Sequence, residues 1–189
     1  RNGLAELRSA QGRFSEAESL FRRALSIKKK TSGPEHRETA LIMNNLARVY
    51  REERKLAEAQ AWFLQALRIL EKNLGTESPE LAIVMNNLGS VYQDQNHNLE
   101  AEPFYRRALA IQEKALGENH PDVARTTNNL ATLCVDQKKY EEAESLYRRA
   151  LNVREKALGP SHPEVATIVS NLADLYTLQH RYPEAEPLS

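Results

Sequence analysis

Hydrophobic positions between residues 79 and 95 recur at the spacing of an α-helix. They are Leu81, Met85, Leu88 and Tyr92. These positions fall at i, i+4, i+7 and i+11, which places them on one side of a helix with 3.6 residues per turn. Ser78 and Pro79 suit the start of such a helix, because serine caps helix N-termini and proline lacks an N–H that would have no partner there. The pattern predicts an amphipathic helix from about residue 79 to residue 95.

A second amphipathic helix is predicted after a polar turn at residues 95–98. Its apolar positions are Ala101, Phe104, Tyr105, Ala108, Ile111 and Ala115. The helix is expected to run from about Leu99 to Leu116. Gly117 is expected to end it, because glycine accepts a left-handed backbone at almost no steric cost.

This two-helix unit recurs every 42 residues along the chain. The repeated columns include Asn45, Asn87, Asn129 and Asn171, then Ala59, Ala101, Ala143 and Ala185, and then Gly33, Gly75, Gly117 and Gly159. The predicted organisation is a single array of about four and a half units, at residues 1–36, 37–78, 79–120, 121–162 and 163–189. Because a two-helix unit cannot bury both of its faces alone, the units are expected to stack into an all-α solenoid of antiparallel helix pairs.

Charge and cysteine content exclude several classes of protein. Lys plus Arg and Asp plus Glu both number 26, so the formal net charge is zero. We therefore predict no nucleic-acid binding and no attraction to anionic membranes, since both depend on excess positive charge. No apolar run approaches 18 residues, so no membrane insertion is expected. The single cysteine, Cys134, favours a reducing compartment, and we predict a cytoplasmic location.

The repeat resembles the tetratricopeptide repeat. The resemblance is carried by Leu46, Ala47, Tyr50, Ala59, Phe63 and Ala66, which follow that family's spacing of small and aromatic positions. The usual unit has about 34 residues, and phrases such as 128–131 and 157–166 are similar to the longer repeats of kinesin light chain. The resemblance implies a right-handed superhelix and a protein-binding adaptor. It also leads us to expect that this chain is part of a longer array.

By resemblance, the first helix of each unit lines a concave, peptide-binding groove. The groove residues predicted in this way are Asn44, Asn45, Arg48, Arg51, Asn86, Asn87, Ser90, Gln93, Arg125, Asn128, Asn129, Thr132 and Asn171. Asparagine amides can bond to the peptide groups of an extended chain, and arginines can bond to acidic side chains. Two alternatives stay open. The Asn45 column could instead hold neighbouring helices together, and the arginines could pair with Glu52 or other neighbours.

Other conspicuous residues are interpreted as structural. Glu18, Glu102 and Glu144 precede Arg22, Arg106 and Arg148 by four positions, which predicts ion pairs along the second helices. His36, His120 and His162 are predicted to be cap or turn residues, and no metal site is expected. Cys134 and Trp62 are assigned to packing, although partial exposure of Trp62 as a contact point stays open.

No catalytic constellation or phosphate-binding loop is present in the sequence. We therefore predict a non-enzymatic scaffold without a cofactor, whose partner is a protein or a peptide. Two alternatives remain. One is self-association into a homo-oligomer through terminal repeats, and the other is a regulatory array within a larger multidomain protein.

Overall fold

The computed structural model describes the backbone of residues 3–188, and the side chains at positions 4, 10 and 188 lie outside the description. Within that range the chain forms ten α-helices and a short 3-10 turn, in two compact units, 1–97 and 98–189. Unit 1 contains α1 (Gly3–Ala10), α2 (Phe14–Thr31), α3 (Arg37–Glu52), α4 (Leu56–Leu74) and α5 (Pro79–Asp94). Unit 2 contains α6 (Asn98–Leu116), α7 (Pro121–Asp136), α8 (Tyr140–Leu158), α9 (Pro163–Leu178), α10 (Tyr182–Ala185) and a 3-10 turn at Glu186–Leu188.

Each unit is a stack of helices in which consecutive elements pack on one another. In unit 1, α1 packs on α2, α2 on α3, α3 on α4, and α4 on α5; unit 2 follows the same order from α6 to α10. Short turns between packed helices make the neighbours antiparallel, as in an αα-hairpin. The all-α fold class is thereby confirmed, whereas the division into a single array stays a prediction.

Alanines allow the close packing that the repeat requires. Ala47, Ala59 and Ala66 are completely buried in unit 1, where Phe63 fills the space between helices. In unit 2, Ala143 and Ala150 are equally inaccessible. Because protein interiors are close-packed, a larger side chain at these positions would separate the paired helices.

The predicted start and stop signals are confirmed. Ser78 Oγ accepts a hydrogen bond from the Glu80 N–H at 3.3 Å, and Pro79 occupies the first turn of α5. Gly117 follows α6 with φ of 82°, in the left-handed region where glycine is favoured. The predicted bounds of both helices differ from the observed ones by one residue, within the usual uncertainty of helix ends.

Histidines cap three of the first helices, which confirms their predicted role. In each case Nδ1 accepts a hydrogen bond from the backbone N–H two residues later. The capping residues are His36, His120 and His162. A ring nitrogen thus replaces the side-chain oxygen that usually satisfies these orphan amides.

Candidate functional site

The predicted groove residues lie on one face of the first helices within each unit. We define the first-helix face as the side of α3 and α5 in unit 1, and of α7 and α9 in unit 2, that carries these residues. In unit 1, Arg48 and Glu52 are exposed on this face, and Asn45 and Asn87 are half-buried. In unit 2, Arg125 is exposed, and Asn128, Asn129, Thr132 and Asn171 are half-buried.

Asparagine amides connect neighbouring first helices. In unit 1, Asn87 Nδ2 donates to Asn44 Oδ1 at 2.9 Å, and Asn44 Nδ2 donates to Asn45 Oδ1 at 3.2 Å. In unit 2, Asn171 Nδ2 donates to Asn128 Oδ1 at 3.3 Å. These bonds correspond to the open alternative in which the asparagines hold adjacent repeats together.

The predicted asparagines differ in how much of each side chain is accessible to a ligand. Asn44 is 6% exposed and Asn86 is 3% exposed, so their amides lie beneath the surface. Asn45 Nδ2 donates to Glu6 Oε1 at 3.1 Å, which leaves Asn45 at the surface but already bonded. Peptide binding by the asparagine columns remains a prediction, and the buried members contribute to it least.

Two of the three predicted arginines have acidic neighbours. Arg51 Nε donates to Asp94 Oδ2 at 2.6 Å, which links α3 to α5. Arg125 pairs with Asp122 one turn earlier on α7, at 3.1 Å. The open alternative of pairing with neighbours therefore describes both residues, although the partner of Arg51 is Asp94 instead of Glu52.

Arg48 differs from the other two arginines. It is exposed on α3 and forms no ion pair with any residue in the described part of the chain. Glu52, one turn later, is also exposed, and it likewise has no ion-pair partner among the described residues. Arg48 and Glu52 therefore present an exposed cation and an exposed anion one helical turn apart, neither of them paired within the part of the chain that the structure describes.

Arg48 and Glu52 border an open cavity of about 400 Å³ in unit 1. Helices α1, α2 and α3 contribute its walls, which include Glu6, Phe14, Phe21, Asn45, Arg48 and Glu52. Two phenylalanines make part of the lining apolar, whereas the groups from α1 and α3 are polar. Such a mixed surface can hold an apolar side chain while polar groups fix its orientation. The sequence prediction included Asn45 and Arg48 but missed the lining from α1 and α2.

Two predicted hydroxyl groups are occupied within the fold. Ser90 is buried, and its Oγ donates to the Asn86 carbonyl oxygen at 3.2 Å. Thr132 Oγ1 donates to the Asn128 carbonyl oxygen at 3.2 Å and lies 2.9 Å from the hydroxyl of Tyr147. Gln93 is half-buried. These residues border the first-helix face, but their polar groups are less accessible to a ligand than the exposed guanidinium of Arg48.

The second helices carry an ionic network on their outer side, as the sequence predicts. Glutamates Glu18, Glu102 and Glu144 pair with the arginines four positions later at 2.7, 2.7 and 2.9 Å. In unit 1 the network extends to the next first helix, because Tyr50 donates to Glu18 at 2.8 Å and Arg22 contacts the same hydroxyl. We call Glu18, Arg22, Tyr50 and Lys55 the outer clamp. The hydrogen bonds from Arg22 and Tyr50 lower the pKa of Glu18.

One repeat has a neutral version of the outer clamp. The positions that follow the outer clamp residues by one repeat length hold Gln60, Leu64, Tyr92 and His97, which also belong to unit 1. Gln60 Nε2 donates to the Tyr92 hydroxyl at 3.1 Å, which replaces a carboxylate acceptor with an amide donor. Glu18, Arg22 and Lys55 therefore all have a different residue at the equivalent position of this repeat, whereas the tyrosine is kept. In the outer clamp itself, Arg22 bonds to both Glu18 and Tyr50, so this arginine is engaged within the fold.

Cys134 is buried as predicted, whereas Trp62 has the partial exposure that the sequence left open. Cys134 is buried, and burial raises the pKa of its thiol to about 11, so the thiol is protonated near neutral pH. Trp62 is half-buried, and Lys29 Nζ lies 5.8 Å from its ring centroid. Neither residue lines the cavity of unit 1. Among the described residues, no helix has both the length and the apolar character needed to span a membrane.

Comparison with known proteins agrees with this geometry. The tetratricopeptide repeat family model matches residues 1–72, 38–114, 80–156 and 122–188. No curated protein matches the chain. BtubC (BKLC) from P. vanneervenii is similar in structure, with a TM-score of 0.83 and 28% identity over 98% of this chain and 74% of that one.

Two further solved structures are similar to the chain. A proposed kinesin light chain of Podosopora anserina with nearly identical TPR-like repeats has a TM-score of 0.79 and 27% identity, over 99% of this chain and 89% of that one. A Rap protein complexed with Competence and Sporulation Factor has a TM-score of 0.83 and 17% identity, over 97% of this chain and 49% of that one. The likeness to the Rap protein shows the fold alone. The predicted solenoid fold and its resemblance to kinesin light chain-type repeats are confirmed.

Proposed function

The chain belongs to the tetratricopeptide repeat family, and we propose that its first-helix face binds an extended segment of a partner protein. Proteins of this family act as interaction scaffolds for protein partners, and the fold is generally not catalytic. The proposal adds the location of the contact and the residues that make it. It places the principal anchor in the cavity of unit 1.

The observation that carries the proposal is the pair of exposed charged residues beside that cavity. Arg48 and Glu52 are exposed, and neither has an ion-pair partner among the described residues. Phe14 and Phe21 add an apolar wall to the same cavity of about 400 Å³. Interfaces gain most of their binding energy from a few anchors that enter pockets, surrounded by polar groups. An apolar side chain of the partner would occupy the cavity, with Arg48 and Glu52 bonding to polar groups beside it.

The predicted asparagines have a supporting role in this mechanism. Asn45, Asn87, Asn129 and Asn171 reach the surface partially, whereas Asn44 and Asn86 are buried. A surface amide can bond to a peptide group of the partner while it keeps its bond to the neighbouring helix, because an amide has several donor and acceptor sites. We therefore assign peptide contacts to the surface asparagines, of which Asn87 and Asn171 also bond to the neighbouring first helix.

Similarity to known structures supports an adaptor of the kinesin light chain type. BtubC (BKLC) and the Podosopora anserina protein share 28% and 27% identity with the chain, over nearly its whole length. On this basis we propose a cytoplasmic adaptor that joins a partner segment to a larger assembly. A single linear segment would bind with an affinity on the order of micromolar.

The experiment is a selection from a random-peptide display library with three forms of the chain. The wild type is compared with Arg48→Trp, which places a bulky side chain beside the cavity of unit 1. The matched control is Arg23→Trp, which makes the same change at an exposed arginine of α2 that does not line the cavity. Circular dichroism establishes that all three forms are folded.

We expect a common motif on the wild type and on Arg23→Trp, and its loss on Arg48→Trp. An apolar residue flanked by polar residues is the expected core of that motif. Enrichment of the same motif on Arg48→Trp would contradict the assigned face. A folded wild type that enriches no peptide would contradict binding of a linear segment.

A further inference from the structure

A stripe of exposed residues runs along the outer side of α4 in unit 1. It consists of Ala57, Ala61, Leu64 and Arg68, at i, i+4, i+7 and i+11, so the four side chains share one side of the helix. All four residues are exposed, and Leu64 is 40% exposed. We call these four residues the α4 stripe. It presents a leucine between two small side chains and one cation.

The leucine is peculiar to α4. The residues at its position in the other second helices are Arg22, Arg106 and Arg148. Each of those arginines pairs with the glutamate four positions earlier. The architecture therefore accepts an arginine at this place, and Leu64 puts exposed apolar surface where the other repeats have a paired charge.

Two charged residues of α4 are exposed without a partner. Arg68 is also peculiar to this helix, because the equivalent residues are Ser26, Ala110 and Asn152. Glu58 lies ten positions before it, beside the stripe. Within the part of the chain that the structure describes, neither side chain forms an ion pair; Arg68 attracts the Glu35 carboxylate only at longer range, and Glu35 is bonded to Lys72. Both charges are therefore available to a partner.

These features are complementary to a second copy of themselves. When two identical helices pack antiparallel about a twofold axis, residues at equal distances on either side of the axis lie opposite each other. The midpoint of Ala61 and Leu64 lies at positions 62–63. The midpoint of Glu58 and Arg68 lies at position 63. One axis therefore places each leucine over an alanine and each glutamate beside an arginine.

We propose that the chain self-associates through α4 into an antiparallel, twofold dimer. Leu64 of each copy packs over Ala61 of the other, and Glu58 of each copy pairs with Arg68 of the other. Such an interface uses the same patch on both copies and is closed, so it yields a dimer and no longer polymer. The net charge of zero removes long-range repulsion between the copies.

The dimer is expected to be weak and to leave the first-helix face open. A single pair of helices covers less surface than a standard interface, which corresponds to a dissociation constant of roughly 10–100 µM. The α4 stripe lies on a second helix, whereas the partner segment is assigned to first helices. A dimer would therefore present two first-helix faces, and it goes beyond the proposed function.

The test is sedimentation equilibrium of the full chain over a wide range of concentration. We expect a reversible monomer–dimer equilibrium for the wild type. Leu64→Arg installs the residue of the three equivalent positions, and it should weaken the dimer by roughly tenfold or more, because it removes the apolar contact and adds like charges to the interface. The matched control is Leu99→Arg, which makes the same change at a leucine of α6 that is 81% exposed. It should leave the dimer unchanged.

Charge reversal tests the orientation of the two helices. Glu58→Arg and Arg68→Glu each place like charges opposite one another, so each single variant should weaken the dimer by roughly tenfold. The double variant restores opposite charges with their signs exchanged, and its dissociation constant should return to within about threefold of the wild type. Circular dichroism establishes that every form is folded.

The proposal is overturned if the wild type stays monomeric at every concentration, or if Leu64→Arg dimerises as well as the wild type. Failure of the double variant to recover the dimer would overturn the antiparallel pairing. Peptide selection on the first-helix face does not depend on these results, since Leu64→Arg should enrich the same motif as the wild type. Failure of the dimer and failure of peptide binding are therefore distinguishable.

Discussion

Asn87 Nδ2 donates to Asn44 Oδ1 at 2.9 Å, across a separation of 43 positions in the chain. The repeat length is 42, so facing residues on neighbouring first helices are offset by one position. Arg51 and Asp94 have the same offset, as do Asn128 and Asn171. Polar pairs with this offset hold adjacent first helices side by side within each unit.

Replacing Asn44 should therefore reduce stability. In Asn44→Ala, the Nδ2 group of Asn87 loses its acceptor in a half-buried position, which should lower the free energy of unfolding by about 1–3 kcal/mol. A double-mutant cycle with Asn87→Ala, measured by urea unfolding, should give a coupling free energy of about 0.5–1.5 kcal/mol. Additive effects of the two substitutions would show that the bond contributes nothing.

Gln112 and Thr126 are polar residues in the core of unit 2 that should cost stability. Both are completely buried, and Gln112 Nε2, Gln112 Oε1 and Thr126 Oγ1 have no partner among the described residues. The equivalent residues in unit 1 are Leu70 and Val84, which are buried and apolar. We expect Gln112→Leu with Thr126→Val to raise the free energy of unfolding by about 1–3 kcal/mol, because unsatisfied polar groups are removed.

The matched control for that pair is the reverse change in unit 1. Leu70→Gln with Val84→Thr introduces the same polar groups at buried apolar positions, and it should destabilise the chain by a similar amount. Thermal unfolding of both double variants measures the two effects. A decrease in stability for Gln112→Leu with Thr126→Val would show that these polar groups are satisfied in solution.

Acid should weaken unit 2 through Glu102. Hydrogen bonds from Lys139, Arg106 and Gln137 lower the pKa of this carboxyl from 4.5 to about 2. A carboxyl whose pKa is lower in the folded state stabilises the fold above the pKa of the unfolded chain. That contribution is complete above about pH 5 and is lost as the pH falls from 4.5 towards 2.

In Glu102→Gln this part of the acid sensitivity should disappear. The loss of unfolding free energy between pH 5 and pH 2.5 should be about 1–2 kcal/mol smaller than in the wild type, a figure reduced for solvent screening at a partly exposed site. Glu141→Gln, at an exposed position of α8, should keep the acid sensitivity of the wild type. Equal acid sensitivity in Glu102→Gln and the wild type would refute the role of this carboxyl. Urea unfolding at several pH values provides the measurement.

Local signals were sufficient to predict the fold. Helix starts at Pro79, Pro121 and Pro163 follow from capping residues and proline, which act within one turn. The stacking of pairs follows from the period of the repeat. The division of the chain into two compact units could not be predicted, because equivalent residues recur throughout the sequence and indicate no boundary.

The candidate site was only partially predictable. Columns in the sequence identify equivalent residues, but contacts between first helices join positions that are offset by one, as Arg51 and Asp94 are. For this reason the partner of Arg51 stayed open between a ligand, Glu52 and other neighbours, and the structure shows that it is Asp94. The exposure of Leu64 was also missed, since it depends on how α4 packs on its neighbours. The only signal was its column, whose other members are Arg22, Arg106 and Arg148.

The most direct test of the central claim is to map a bound peptide onto the chain. The probe is the most enriched peptide from the display library, added to the isotopically labelled wild type, with nuclear magnetic resonance shifts recorded at backbone and side-chain amides. We predict the largest shifts at Asn45, Arg48 and Glu52, on the first-helix face of unit 1. Shifts concentrated instead at Arg22 and Lys55, in the outer clamp, would contradict the account.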